Sequence, residues 1–433
     1  SGATGKDTIR VTTIGPVLID LRGFALTTAT DRAAIVVPAN SETIVIRNGT
    51  ILANSGGTTT VAITGGNNVT CEDLTILGTG GLNLLALQST GTVRRCRLSE
   101  GGISMTDGCA VVDSLVAATT NASISLGTDS TVTGVKFATN RGELRVGDRG
   151  RISDCEVIAG GQPTFLSNGN VVQTGSGALV RRCSVSAGNV GGSAIGVGAG
   201  SLVEGCRVLS AFREGITSNI QDNVTVVDCS VQGIGRRGIA LGANARVRDC
   251  VVNGSGLDGI LVEENSLVSG CTISDAHGAG IISSLDNVAV SRCVVRGSTG
   301  GPGISLVNGS VTDCDVSGTT GGAGIQVAQT CRVERNRSTN NGTTSPANPQ
   351  DGLKVIGANN RIEGNQLINN AGIGLEITTS GSPNVNTGNL VIGNHARGNA
   401  VGQFSFSTGN ATGPVLTTAQ VATTTIPTAN FGP

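Results

Sequence analysis

The residues best equipped for chemistry in this chain are twelve cysteines and a run of charged turns. Nine of the cysteines recur in one phrase, V-x-x-C-x-V: "VRRCRL" at Cys96, "ISDCEV" at Cys155, "VRRCSV" at Cys183, "VEGCRV" at Cys206, "VVDCSV" at Cys229, "VRDCVV" at Cys250, "VSGCTI" at Cys271, "VSRCVV" at Cys293 and "VTDCDV" at Cys314. Thiolates could bind a metal, pair as disulfides, or pack as small apolar groups. A tetrahedral site calls for clustered spacing such as C-x-x-C, which is absent, so the cysteines imply no metal. If the phrases stack in register, neighbouring side chains point the same way and are poorly aimed for disulfides. The expectation is a structural ladder of buried cysteines filling a narrow interior. The slot continues with Asn336, Asn365 and Asn394, because amides stacked one above another can hydrogen-bond along the stack. Cys71, Cys109 and Cys331 fall outside it.

The ionisable residues concentrate in consecutive turns: Arg213 and Glu214 in "FREG", Arg236 and Arg237 in "GRRG", Asp258 in "LDG", Glu263 and Glu264 in "VEEN", then Asp275 and His277 in "SDAHG". One expectation is a catalytic groove in which arginine neutralises an acidic substrate and a carboxylate or His277 handles the proton. Asp258, Glu263 and Glu264 would then be candidates for Ca²⁺; nothing else in the chain suggests a cofactor. The competing expectation is an alternating-sign ladder on a solvated face. Glu214, Arg237 and Asp258 each immediately precede a glycine on successive repeats and should stack within about 5–10 Å.

Elements that could position these residues follow from the repeat itself. From Cys183 to Cys314 the spacing is 21–23 residues, and between cysteines sits a second phrase: "RGIAL", "DGILV", "AGIIS", "PGISL", "AGIQV" and "DGLKV". Glycine permits the turn, and the alternating apolar residues after it read as a short strand. A strand that returns at this period without a helical crossover lies parallel to its predecessor, about 4.8 Å further on. With Phe24, Gly49, Leu74, Ser114 and Val135 in the same slot, about 17 turns of a rod roughly 80 Å long are expected. The composition agrees: 67 glycines, 2% aromatics and no tryptophan or tyrosine leave an interior built of Val, Ile, Leu, Ala and Cys.

From about Ile19 to Gly413 the chain resembles the bacterial right-handed parallel β-helix repeat proteins of the pectate-lyase-like superfold. The resemblance rests on the Cys and Asn ladder, the recurring "GI" strands and the early "IDLRGFAL" and "IVIRNGTI" phrases. It implies an all-β fold, a single right-handed parallel β-helix over 19–412, flanked by a β-prone segment at 1–18 and a Thr-rich extended tail at 413–433. It also implies a location outside the cell. The superfold hosts lyases, hydrolases, epimerases, spikes and structural proteins. Motifs of its enzymes are missing here: no "DD" with "GHG" and "RIK", no "RxPxxR", no "GGxGxD". Of the three lysines, Lys6, Lys136 and Lys354, neither Lys136 nor Lys354 stands in a recognisable lyase motif.

A net charge of -1 gives no field to gather phosphates, so nucleic acid is not an expected partner. No apolar run of about 18 residues is present to span a membrane. Sugar clefts usually present Trp or Tyr faces, and this chain has neither. The leading expectation is therefore a secreted or surface-associated structural β-helix, self-assembling head to tail through coil ends or terminal segments. Such a contact does not close and makes fibres. Two other readings stand beside it: an extracellular lyase or epimerase acting on acidic polysaccharide, and an adhesin or phage-spike stalk.

Overall fold

The computed structural model describes residues 9–12, 15–28, 33–39, 42–53, 61–78, 83–160, 169–188, 191–219, 221–342, 349–378, 386–417, 420 and 426–432. Most of the β-prone stretch at 1–18 and the threonine run of the tail lie outside these residues. The chain forms two compact units, Ser1–Asn219 and Ile220–Pro433. Both are parallel β-solenoid, and the described residues make about 16 turns.

Within the second unit, each coil places the "GI" strand in one sheet and two short strands in another. Ile239, Ile260, Ile281, Ile304, Ile325, Leu353, Leu375 and Phe404 occupy one register position on successive coils. A second column runs Val226, Val247, Val268, Val290, Val311, Val333, Ile362 and Val391. All but Phe404 in these columns are fully buried. The alternation turns the neighbours Arg246 and Arg248 to solvent, as a half-buried parallel strand requires. Phe404 and Phe406 also point inward, in register with Leu375 and Ile377, their rings 5.6 Å apart. The first unit repeats the pattern, with Ile103, Ile124 and Leu144 in register.

The cysteine slot is a corner between two strands rather than a position within one. In "RVRDCVVNGS", strands Arg246–Arg248 and Val251–Ser255 flank it. Asp249, immediately before Cys250, has φ 54°. The same left-handed backbone recurs at Arg95, Asp113, Asp154, Arg182, Asp228, Arg292, Asp313 and Arg335, and at glycine in Gly270, Gly364 and Gly393. This explains the restricted choice before each ladder residue. Aspartate visits this region more readily than most residues and glycine is free there. Arginine is the strained choice, and at Arg95, Arg182 and Arg335 it is held by the ion pairs described below.

All twelve cysteines are buried and free. Within the ladder each thiol donates to the carbonyl two residues earlier, over 3.1–3.4 Å. From Asn336 onward the amides take over. The backbone N–H and Nδ2 of Asn336 both donate to Asn365 Oδ1, at 3.0 Å each. Asn365 does the same to Asn394, and Asn394 to Asn430 Oδ1. Asn430 thus extends the ladder from within the C-terminal segment, where strand Asn430–Phe431 pairs with Val415–Leu416.

Two further columns flank this one. Cys109 and Cys331, which precede the main slot by five residues, begin rungs of their own. Cys109 N–H donates to Ser130 Oγ, and Cys331 N–H to Asn360 Oδ1, followed by Asn389 and Asn410. On the other side Thr319 N–H donates to Asn341 Oδ1, followed by Asn370 and Asn399. One expectation fails at the first coil: Phe24 does not fill the slot but is 75% exposed. The Leu21 side chain fills that space, so close beneath Gly49 that a Cβ there would lie 2.4 Å from Leu21 Cβ.

Replacing Asn365 by leucine removes the acceptor of two buried donors of Asn336, each worth about 1–3 kcal/mol when left unmade. Guanidinium unfolding should show a loss of that order for Asn365→Leu and a smaller one for Cys271→Ala, because the Cys271 sulfur is only a weak acceptor for the Cys250 N–H. Equal losses would contradict the ladder as described.

Candidate functional site

Among the residues singled out from sequence, Arg237 and Asp258 do meet: Arg237 Nε donates to Asp258 Oδ2 at 3.1 Å. The other carboxylate oxygen accepts the backbone N–H of Ala279 at 3.0 Å. That bond needs glycine on the coil above, since a Cβ at Gly278 would sit 2.5 Å from Asp258 Oδ1. Arg236 is half-buried beside them. His277 is exposed, and its Nδ1 lies 3.2 Å from the Ser255 carbonyl oxygen, a bond the ring makes as donor. Glu263 is half-buried and Glu264 exposed. In the first unit Ser193 Oγ donates to Glu214 at 2.9 Å, with Arg213 Nε 3.9 Å away. Among the described residues no group of three or more His, Cys, Asp or Glu is arranged to hold a metal ion. None of their helices is long and apolar enough to cross a membrane.

The corners carry a charge ladder of their own. Arg95 pairs with Asp73, Arg182 with Asp154 and Arg335 with Asp313, each arginine placing Nε and an Nη on the two carboxylate oxygens one coil below. The guanidinium hydrogen bonds hold all three aspartates below their usual pKa. Glu334, 3% exposed, is enclosed by Arg332, Arg335 and Arg361.

A cluster not foreseen from sequence lies on the outward side of the "GI" sheet in the second unit. Lys354 Nζ is 3.0 Å from Glu376 Oε2 and 3.6 Å from Asp351 Oδ2. Lys354 and Glu376 are register partners on adjacent coils. Asp351, in "DGLKV", repeats the arrangement of Asp258 in "DGILV". Its Oδ1 accepts the Ile373 N–H at 2.8 Å beneath Gly372, where a Cβ would lie 2.5 Å away. Asp351 is 7% exposed. Burial, then the Glu376 charge, push its pKa up to about 6 despite the lysine, while the two carboxylates raise that of Lys354 against its own burial. A buried carboxyl poised near neutrality beside an ammonium and a second carboxylate can exchange a proton with a bound group.

Of the thiols, Cys71, Cys96 and Cys331 offer no comparable reactivity. Burial pushes Cys96 and Cys331 up to about 11 and Cys71 well above its ordinary value, so these groups stay protonated and poorly nucleophilic.

Asp351 holds its proton in the fold at a pH where the unfolded chain has lost it. Stability should therefore fall as pH rises from about 4 through about 6, and Asp351→Asn should remove that component. Chemical denaturation of both proteins across this window checks it; parallel curves would show that Asp351 titrates normally.

Comparison with known proteins bears on the fold. No curated protein matches the chain. Similar solved structures include the A-module of the Azotobacter vinelandii mannuronan C-5 epimerase AlgE4, at 12% identity and TM-score 0.37, covering 86% of this chain and 90% of that one. Others are the periplasmic alginate epimerase AlgG, at 9% and 0.33, covering 83% and 76%, and the Dettilon tailspike protein gp208, at 15% and 0.34, covering 87% and 63%. At such identities and scores these likenesses carry no argument about activity. The family model described as right handed beta helix region matches residues 122–267 and 258–412, and with that span, most of the chain, the protein belongs to the right-handed β-helix family.

Proposed function

We propose that the protein is a structural β-solenoid, secreted or surface-associated, whose coils stack head to tail into fibres. The observation that supports this reading most is how the charged turns are used. Arg237 and Asp258 hold each other and the backbone of the next coil. Arg95, Arg182 and Arg335 are bound to the aspartates one coil below. Fixed in this way, they serve coil-to-coil cohesion and leave no free cation to hold an acidic polysaccharide at those positions. Exposed pairs of this kind add little stability individually; their role is to keep register along a surface where every side chain sits above its equivalent. The three amide columns do the same inside.

A chain of this design is a stiff support, and its partner is a second copy of itself. Purified protein at raised concentration should give long assemblies by negative-stain electron microscopy and a scattering mass that grows with concentration. A strict monomer at every concentration would overturn the reading. Arg237→Ala should leave assembly intact while lowering the thermal midpoint modestly, because it leaves Asp258 held only by the Ala279 N–H.

A further inference from the structure

In the second unit each coil lies on the coil that precedes it in the chain, until the last coil described breaks the order. Leu390 pairs with Ala411 and Val391 with Thr412, 21 residues apart, and the same interval carries the ladder from Asn394 to Val415. Valine has no oxygen to receive the N–H and Nδ2 of Asn394. Those donors are met because Asn430–Phe431 lies between the two coils: Phe431 is in register with His395 on one side and with Leu416 on the other. Val415, in register with Asn430, is left one strand further out and 46% exposed.

The inserted segment is held from both sides. Phe431 N–H donates to Asn394 O at 2.8 Å, as His395 N–H does to Asn365 O. On the other side Asn430 N–H donates to Pro414 O at 2.8 Å and Gly432 N–H to Leu416 O at 3.1 Å. Asn430 Oδ1 accepts both Asn394 donors, and Asn430 Nδ2 donates to Val391 O and Gly413 O at 3.1 Å each. Ala429 and Asn430 are fully buried. Gly413 leaves room for the insertion, since a Cβ there would collide with Thr428 O. The two coils therefore enclose a slot shaped for one extended segment with asparagine at the ladder position.

We propose that the gap between Asn394 and Val415 is a strand-accepting site whose partner is the Thr428–Gly432 segment of a second copy of this chain. The same bonds form whether the segment comes from this chain or from another, so the two arrangements differ only in connection and concentration. Residues 417–425 lie between Leu416 and Ile426, a length that reaches about 30 Å when extended. Donor and acceptor stand on the same coil, so exchange between two copies is reciprocal and closes as a pair. It is independent of head-to-tail stacking, which adds copies without closing, and the two are told apart by mass.

The test uses the full chain. After incubation at about 1 mM, of the order of the effective concentration of a short flexible connection, size exclusion with light scattering should show a species of twice 43.1 kDa that returns slowly to monomer on dilution. A fluorescent peptide of residues 426–433, IPTANFGP, present during the incubation should be taken up, read by anisotropy, and should suppress the pair. The same peptide carrying Asn430→Leu leaves the Asn394 donors unmet and should bind at least about tenfold more weakly. Full-length Asn430→Leu with unchanged circular dichroism should form no pair, and should take up the natural peptide more readily than the unsubstituted chain because its own segment competes poorly. Absence of the pair, absence of peptide uptake, equal uptake of the two peptides, or a pair that persists in folded Asn430→Leu would each overturn the proposal.

Discussion

Everything in this fold depends on one constraint: each residue lies directly above its equivalent one coil earlier. Parallel strands satisfy the constraint along their length, because evenly spaced N–H and C=O groups find partners on the next coil. Corners do not satisfy it by themselves. There the chain turns, a backbone N–H points along the axis, and the group above must supply an acceptor or the donor stays buried and unpaired. The side chain at each corner is chosen by that need.

Three chemistries answer it. Where asparagine stands, one Oδ1 accepts two donors from the residue below, while Nδ2 reaches a carbonyl such as Val311 O or Val333 O. The amide is then saturated in a site where nothing else could solvate it. Serine does part of this, Ser114 Oγ accepting the Cys96 N–H and donating to Val112 O. Cysteine fills the corner with a soft, nearly apolar group and a weak donor. The exchange at Cys314, whose N–H is received by Asn336 Oδ1, shows that the chemistries are compatible at a single step. The low aromatic content follows from the same geometry, since a corner that must admit an axial hydrogen bond has no room for a ring.

Much of this was legible in the sequence. The V-x-x-C-x-V phrase gave period and parallel stacking, and "GI" located the strands of the other sheet. Asn336, Asn365 and Asn394 could be recognised as rungs because they replace cysteine at a fixed offset. The flanking columns were legible in principle and passed over: Asn360, Asn365 and Asn370 are five residues apart, as are Asn389, Asn394 and Asn399, and that doublet of intervals is the mark of two corners on either side of the main one. Phe24 misled because an alignment of phrases carries no information on Leu21 occupying the same space. Arg237 and Asp258 came together as stacking implied.

The cluster at Lys354 was harder to see, and the reason is physical. Asp351 and Lys354 stand in "DGLKV" and Glu376 in "IGLEI", 22 residues beyond Lys354; the interval is that of the central repeats, but these outward positions change residue type from coil to coil, so no recurring phrase marks them. Only register, Lys354 opposite Glu376, makes them neighbours. The same insensitivity explains why Asp351 and Asp258 look alike in sequence and differ in character. Both cap the next coil beneath a glycine, but Asp258 has an arginine as its register neighbour and a partner at 3.1 Å, whereas Asp351 shares its cation with a second acid. A fold that repeats its backbone so faithfully leaves its individuality to what stands one coil away, and at Asp351 that neighbour turns a structural cap into a titrating group.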